Sequence, residues 1–141
     1  MITIPVAVVR TIEAHAREAF PEECCGVLFG HAGETRRAIE ARPLKNLAEE
    51  DRARRYVIDP LDLLRADEAA RAQGLDLIGI YHSHPNHPAE PSEVDRSLAS
   101  SWYSYLILSI VNRRPKELTA WRFDEAAGQF HPDEVLRGDE P

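Results

Sequence analysis

Val8, Ile12, Ala16 and Phe20 recur every four residues, while Glu13 and Arg17 sit four apart on the opposite side. That period predicts an amphipathic helix over about residues 5–20, opened by Pro5 and stopped by Pro21. The short apolar run CGVLFG, Cys25 to Gly30, predicts a buried strand. After a turn at His31-Ala32-Gly33, a looser alternation from Thr35 to Leu44 predicts a second strand. Asn46 to Arg55 is polar and charged and reads as a surface loop. Tyr56-Val57-Ile58 reads as a short strand. Asp59-Pro60 then supplies an N-cap and a first-turn proline for a helix that Gly74 closes. Leu75 to Tyr81 is apolar enough for a central strand, and the Pro- and His-rich stretch HSHPNHPAEPS after it reads as irregular. Ser92 predicts another helix, with Val94, Leu98 and Trp102 spaced by four. Tyr105 to Val111 predicts the most buried strand, and Leu118–Phe123 with Gln129-Phe130 a hairpin turning at Ala126-Ala127-Gly128.

Strands thus interleave with three helices, and the expected class is α/β (α+β), with one central mixed sheet flanked by about three helices. Residues 1–136 are expected to form that single domain and residues 137–141, RGDEP, a frayed tail. A length of 141 residues supports one hydrophobic core and leaves little room for a second domain. With 17 Lys and Arg against 24 Asp and Glu, the net charge of −7 disfavours general binding to nucleic acid. The adjacent Cys24 and Cys25 cannot build a disulfide framework, which favours a reducing compartment. MITIPVAVVR lacks a basic leader and is broken by Pro5, and the run from Tyr105 to Val111 is too short to span a bilayer. The expectation is a cytoplasmic protein with neither a membrane nor a nucleic-acid partner.

The chemistry concentrates in His82-Ser83-His84-Pro85 and Ser92-Glu93-Val94-Asp95. Histidines at i and i+2 at the end of a strand point to one side and can share a metal ion. Ser92 and Asp95, three apart at a helix start, share a face. Two imidazoles and one carboxylate leave a fourth tetrahedral position for water, which is the pattern of a catalytic zinc. Water so held needs a base, and the carboxylate offered is Glu23, just before the strand CGVLFG. Ser92 can donate a hydrogen bond to an oxyanion. Two histidines and a carboxylate also suit a non-haem iron centre, and Ser92-x-x-Asp95 by itself equally describes a capped helix start.

Glu23, then His82-Ser83-His84, then seven residues, then Ser92-x-x-Asp95 resembles the JAMM (MPN+) metalloprotease signature. The likeness extends to PEECCGVLFG, GIYHSHP, YLILSIV and LTAWRF, and is greatest to the short single-domain prokaryotic branch. It implies an MPN-type domain in which His82, His84 and Asp95 hold one zinc ion per chain. It implies that Glu23 activates water and that Ser92 supports the tetrahedral intermediate. Glu22 is the competing base; Glu23 is chosen because it stands two residues before the Cys-Gly pair, as the family's glutamate does. The implied activity is that of a peptidase or isopeptidase acting on the C-terminal tail of a ubiquitin-like or sulfur-carrier protein. Such members serve sulfur transfer and the synthesis of cysteine or cofactors.

Two rival functions remain at this stage, a non-catalytic MPN-type scaffold and another metal-dependent enzyme. A nucleic-acid-processing relative is disfavoured by the acidic charge and by Ser83 between the histidines. Cys25 reads as a small core residue and His87 as loop. Trp102 and Trp121 read as packing residues, and His15, His31 and His131 have no partner pattern.

Overall fold

The computed structural model describes residues 1–138. Along the chain run β1 (Ile2–Ile4), α1 (Val6–Ala19), β2 (Cys25–His31), β3 (Arg36–Leu44), α2 (Pro60–Ala72) and β4 (Asp76–Pro85), then α3 (Glu93–Ser97), β5 (Ser104–Val111), β6 (Arg114–Asp124), β7 (Gln129–Asp133) and β8 (Val135–Arg137). Among the described residues the strands make one eight-stranded sheet in the order β7-β6-β5-β4-β2-β3-β1-β8. The sheet is mixed: β4 runs antiparallel to β2 and parallel to β5. With three helices beside it, the chain has the expected α+β class.

One face of the sheet packs on α1, whose Val8, Val9, Ile12 and Ala16 meet Leu28, Tyr81, Leu106 and Ile110. The other face packs on α2, where the small Ala66 and Ala70 let the helix approach Val27, Phe29, Leu77 and Ile80. Each fully buried aliphatic side chain contributes about 1.5–3 kcal/mol, so both faces are needed to hold the sheet. A bulge in the β2/β4 ladder assigns the faces: Leu28 lies opposite Gly79 and Phe29 opposite Leu77, leaving Ile78 as the extra residue. Ile78 therefore faces α1, while Leu77 and Ile80 both face α2. Beyond Ile80 the alternation resumes, which turns His82 and His84 toward the α2 side and Tyr81 and Ser83 toward α1. Gly26 is required opposite Tyr81, because a Cβ there would strike the tyrosine ring and the Arg42 carbonyl.

Several expectations are corrected. β4 continues through His-Ser-His to Pro85, because β5 pairs with it in register from Gly79↔Ser104 to Pro85↔Ile110. Pro85 is tolerated as the last residue of the strand. Tyr56-Val57-Ile58 is not a strand. Its backbone is met by loop partners instead, the Val57 carbonyl accepting from Leu47 N–H at 2.8 Å. α3 stops at Ser97 rather than running past Trp102. The N–H groups that would extend it go elsewhere, Ser100 N–H to the Tyr105 hydroxyl and Ser101 N–H to Glu125. Leu98 and Trp102 are consequently 61% and 49% exposed, so they are no apolar stripe of a helix. β1 and β8 were too short to show a period, and they pair with each other at one edge of the sheet. Arg137, expected in the frayed tail, ends β8, and residues 139–141 of that tail lie outside the described residues. No helix among the described residues is long and apolar enough to cross a membrane.

Candidate metal centre

The end of β4 presents His82 and His84 on one side of the strand. His82 is 1% exposed and stacks under the Tyr56 ring at a centroid distance of 4.6 Å. The His84 Nδ1 lies 2.8 Å from the Pro88 carbonyl oxygen, which can only accept a hydrogen bond. Nδ1 therefore carries the proton, and Nε2 of the neutral ring is a bare lone pair. That Nε2 faces His82 Nε2 at 3.1 Å and Asp95 Oδ2 at 3.2 Å, and His82 Nε2 is also 3.2 Å from Asp95 Oδ2.

Asp95 reaches this point from the first turn of α3. Ser92 is the N-cap: its Oγ accepts from Asp95 N–H at 3.1 Å, and Ser92 N–H donates to Asp95 Oδ2 at 2.9 Å. This reciprocal capping box locks the direction of the carboxylate. Burial alone would raise the Asp95 pKa, but the His82 and His84 rings beside it and the Ser92 N–H hold it well below the usual carboxylate range. Burial lowers the His82 pKa against the pull of Asp95.

Glu23 lies just before β2 and is 3% exposed. Its Oε1 is buried without a hydrogen-bond partner among the described residues. Burial, then Asp95, then Asp51 push its carboxyl up to about 9. One ligand atom from each of Glu23, His82 and His84 lies within 4.8 Å of the others. Glu22 is exposed, and its N–H donates to the Ala19 carbonyl at 2.9 Å.

These residues fit a divalent cation. His84 Nε2, a bare lone pair, and Asp95 Oδ2 at 3.2 Å repel one another unless something positive lies between them, and His82 Nε2 stands 3.1–3.2 Å from both. The separations approach the edge of about 3.3 Å expected for a tetrahedron with metal–ligand bonds of about 2.0–2.1 Å. The Glu23 carboxyl has one oxygen within 4.8 Å of the histidine ligand atoms and its Oε1 buried without a partner among the described residues, so it is placed to hold a water or a proton. Histidine and carboxylate donors with no thiolate suit a first-row divalent ion, zinc among them. Cys24 and Cys25 stand apart from this donor set: burial pushes their thiols up to about 11 and about 12, so both stay protonated.

The fold thus brings Glu23, His82, His84, Ser92 and Asp95 together. His87 stands outside the cluster but lines the cleft beside His84. Trp121 packs against the α2-side core and donates its Nε1–H to Thr119 Oγ1 at 2.8 Å. His15, which showed no partner pattern, shares a hydrogen bond of 2.7 Å between its Nδ1 and the buried Tyr81 hydroxyl. Sequence reasoning missed Tyr56 and Arg54, the second of which lines the cleft with Glu23. Their positions depend on the path of an irregular segment, and no local period announces it.

A desampylase from Haloferax volcanii is 42% identical to this chain over 105 residues, covering 70% of the chain and 73% of the relative. The CysO-cysteine peptidase of Mycobacterium tuberculosis is 30% identical over 137 residues, covering 96% of this chain and 92% of the peptidase. Among solved structures, protein DSY2949 from Desulfitobacterium hafniense superposes with a TM-score of 0.86 at 32% identity, covering 99% of this chain and 94% of that one. The JAB1/MPN domain protein AF2198 from Archaeoglobus fulgidus superposes with a TM-score of 0.57 at 19% identity over 98% of both chains, a likeness of fold. With the match running from residue 5 to residue 124, the chain belongs to the prokaryotic homologs of the JAB domain.

Proposed function

We propose that this protein is a zinc-dependent peptidase or isopeptidase that cleaves at the C-terminal tail of a ubiquitin-like or sulfur-carrier protein. The observation that carries the reading is the convergence of two imidazole nitrogens and one carboxylate oxygen, with the buried Glu23 carboxyl within 4.8 Å of the imidazoles. His82, His84 and Asp95 would hold one zinc ion per chain. When bound, the ion would acidify water and polarise the scissile carbonyl.

The protein's own groups supply the rest. Glu23 takes the proton from the attacking water as the C–O bond forms. Ser92 Oγ accepts from Asp95 N–H, which leaves its hydroxyl proton free to donate to the developing oxyanion. Glu23 then returns its proton to the amide nitrogen as the C–N bond breaks. A carboxyl raised by burial holds that proton between the two steps, and positive charge nearby would bring it back toward neutral pH.

The cleft over Glu23, His84 and Ser92 has a volume of about 380 Å³, so an extended tail reaches the carboxylate and a folded domain does not. The names of the relatives support the same substrate class, a CysO-cysteine peptidase among them. The test uses the zinc-loaded enzyme and a small carrier whose Gly-Gly tail is extended by a few residues. Mass spectrometry should show the extension released. Glu23→Gln should retain zinc and lose release. Full cleavage by that variant would move the base elsewhere, with Glu22 next to be tried, and an unchanged carrier mass with native enzyme would exclude the tail as substrate.

A further inference from the structure

We infer that Asn46 is a positioning residue for the reaction, holding Glu23 against the histidine pair through its carboxamide. This rests on the reading of Glu23 as the base.

Glu23 lies outside the regular ladder, because β2 begins only at Cys25. On its C-terminal side the chain is fastened to the sheet: Cys24 N–H donates to Ser83 Oγ at 2.9 Å and Ser83 N–H to the Cys24 carbonyl at 3.1 Å. On its own peptide groups Glu23 depends on the irregular segment after β3. Its N–H donates to the Arg52 carbonyl at 2.7 Å, and its carbonyl accepts from Asn46 Nδ2 at 3.0 Å.

Asn46 organises that segment. Nδ2 also donates to the Arg55 carbonyl at 3.1 Å, while Oδ1 accepts from Ala48 N–H and Val57 N–H, each at 3.0 Å. Two donors and two acceptors exhaust what a carboxamide can do. Aspartate lacks the donors, and glutamine is a methylene too long for the same four partners. By pinning Arg55 and Val57, the carboxamide also fixes Tyr56 between them, the residue whose ring lies over His82. One side chain therefore sets the distance of the base from the ligands and the position of the ring covering one of them. Proton transfer tolerates little displacement, and an error of about 1 Å can cost about a hundredfold in rate. The ligands themselves sit on β4 and α3 and make no bond to Asn46, so its loss leaves them in place.

The experiment compares zinc-loaded native enzyme with Asn46→Asp and Asn46→Ala on the extended carrier. The expected result is full zinc content, kcat lowered about ten- to a hundredfold and KM within about twofold. The visible spectrum of the cobalt-substituted enzyme, which reports ligand geometry, should not change. In a Glu23→Gln background, Asn46→Ala should have no further effect on residual turnover, because the group it positions is gone. Asp59→Ala, which removes the N-cap of α2, is the stability control and should leave kcat unaltered.

Unchanged kcat in a folded Asn46 variant would overturn the inference. So would a loss that tracks zinc content, a loss matched by Asp59→Ala, or additivity with Glu23→Gln. If Asn46→Asp, Asn46→Ala and the milder Asn46→Ser all fail to fold, Asn46 is a determinant of the fold and the inference is likewise refuted. Retained turnover in Glu23→Gln alone would instead refute the functional reading, so the two failures are separable.

Discussion

His82, His84 and Asp95 are held by regular structure, whereas Glu23 is held by groups reaching from a segment with none. The histidines ride on β4, which is paired to β2 as far as His82 and to β5 past His84, and the aspartate is locked by a capping box. Glu23 precedes its strand and hangs between Ser83 of the sheet and the carbonyls and carboxamide of the 46–57 segment. The proposed ligand side is thus preorganised by backbone pairing that survives most single side-chain changes. The base side depends on a few side chains and is the half in which a small substitution can uncouple chemistry from metal binding.

Removing a proposed ligand should break the stronger half outright. Asp95→Ala takes away one of the three converging atoms and the acceptor of the Ser92 N–H bond. It should abolish stoichiometric zinc and lower turnover by at least about a thousandfold, the several kcal/mol that a metal Lewis acid supplies. Metal analysis beside the carrier-cleavage assay checks it, and a variant that keeps a full equivalent of zinc would remove Asp95 from the ligand set.

Ser92 joins the two halves, since one hydroxyl both caps α3 and faces the cleft. Ser92→Ala should keep zinc, lose about 10²–10³ in kcat as an oxyanion donor does, and lose about 1 kcal/mol of stability with the cap. Ser92→Gly separates these roles, because glycine costs only a few tenths at an N-cap. It should melt near the native temperature and remain as slow as the alanine variant. Recovery of kcat in the glycine variant would show that the serine acts through the helix alone.

Titration of the metal-free protein probes the base side. The folded Glu23 carboxyl is raised to about 9 by burial and by Asp95 and Asp51, against about 4.3 in an unfolded chain. The folded state then binds more protons than the unfolded one, so stability falls as pH rises through this window. The buried thiols pull the same way above about pH 8, so the readout is a difference. Urea midpoints of metal-free native protein should fall more steeply over that range than those of metal-free Glu23→Gln. Bound zinc should shrink the gap by favouring the carboxylate. Identical slopes would mean that Glu23 is not held apart from solvent.

The same contrast explains what could be read from the residues alone. His82, His84, Ser92 and Asp95 were legible because strand alternation and a helix cap turn spacing into direction. The two faces of the sheet were legible from the α1 stripe and the apolar runs of β2 and β5. Asn46 and Tyr56 were not legible. Asn46 looked like the first polar residue of a loop, and its four bonds span Glu23, Ala48, Arg55 and Val57, with no repeat to mark them. The strand through His-Ser-His was hidden by its prolines, since a parallel partner 25 residues downstream, as in Gly79↔Ser104, leaves no local trace. The end of α3 was hidden for a related reason: the groups that capture its next N–H donors come from β5 and the β6–β7 turn.

That end of α3 supports the smallest prediction. A helix running on past Trp102 would bury Leu98 in the stripe with Val94, and Leu98→Ser would then cost about 2 kcal/mol or more, as lost core burial does. In the structure Leu98 is the C-cap and 61% exposed, with the chain turning away to deliver Ser100 N–H to the Tyr105 hydroxyl. Leu98→Ser should therefore shift stability by no more than about 0.5 kcal/mol. It should leave zinc content at one per chain, because Asp95 is oriented from the other end of the helix by Ser92. Denaturant midpoints and metal analysis on the one variant decide both points. A large loss of stability would mean that the helix continues, and loss of zinc would mean that the capping box alone does not hold the aspartate.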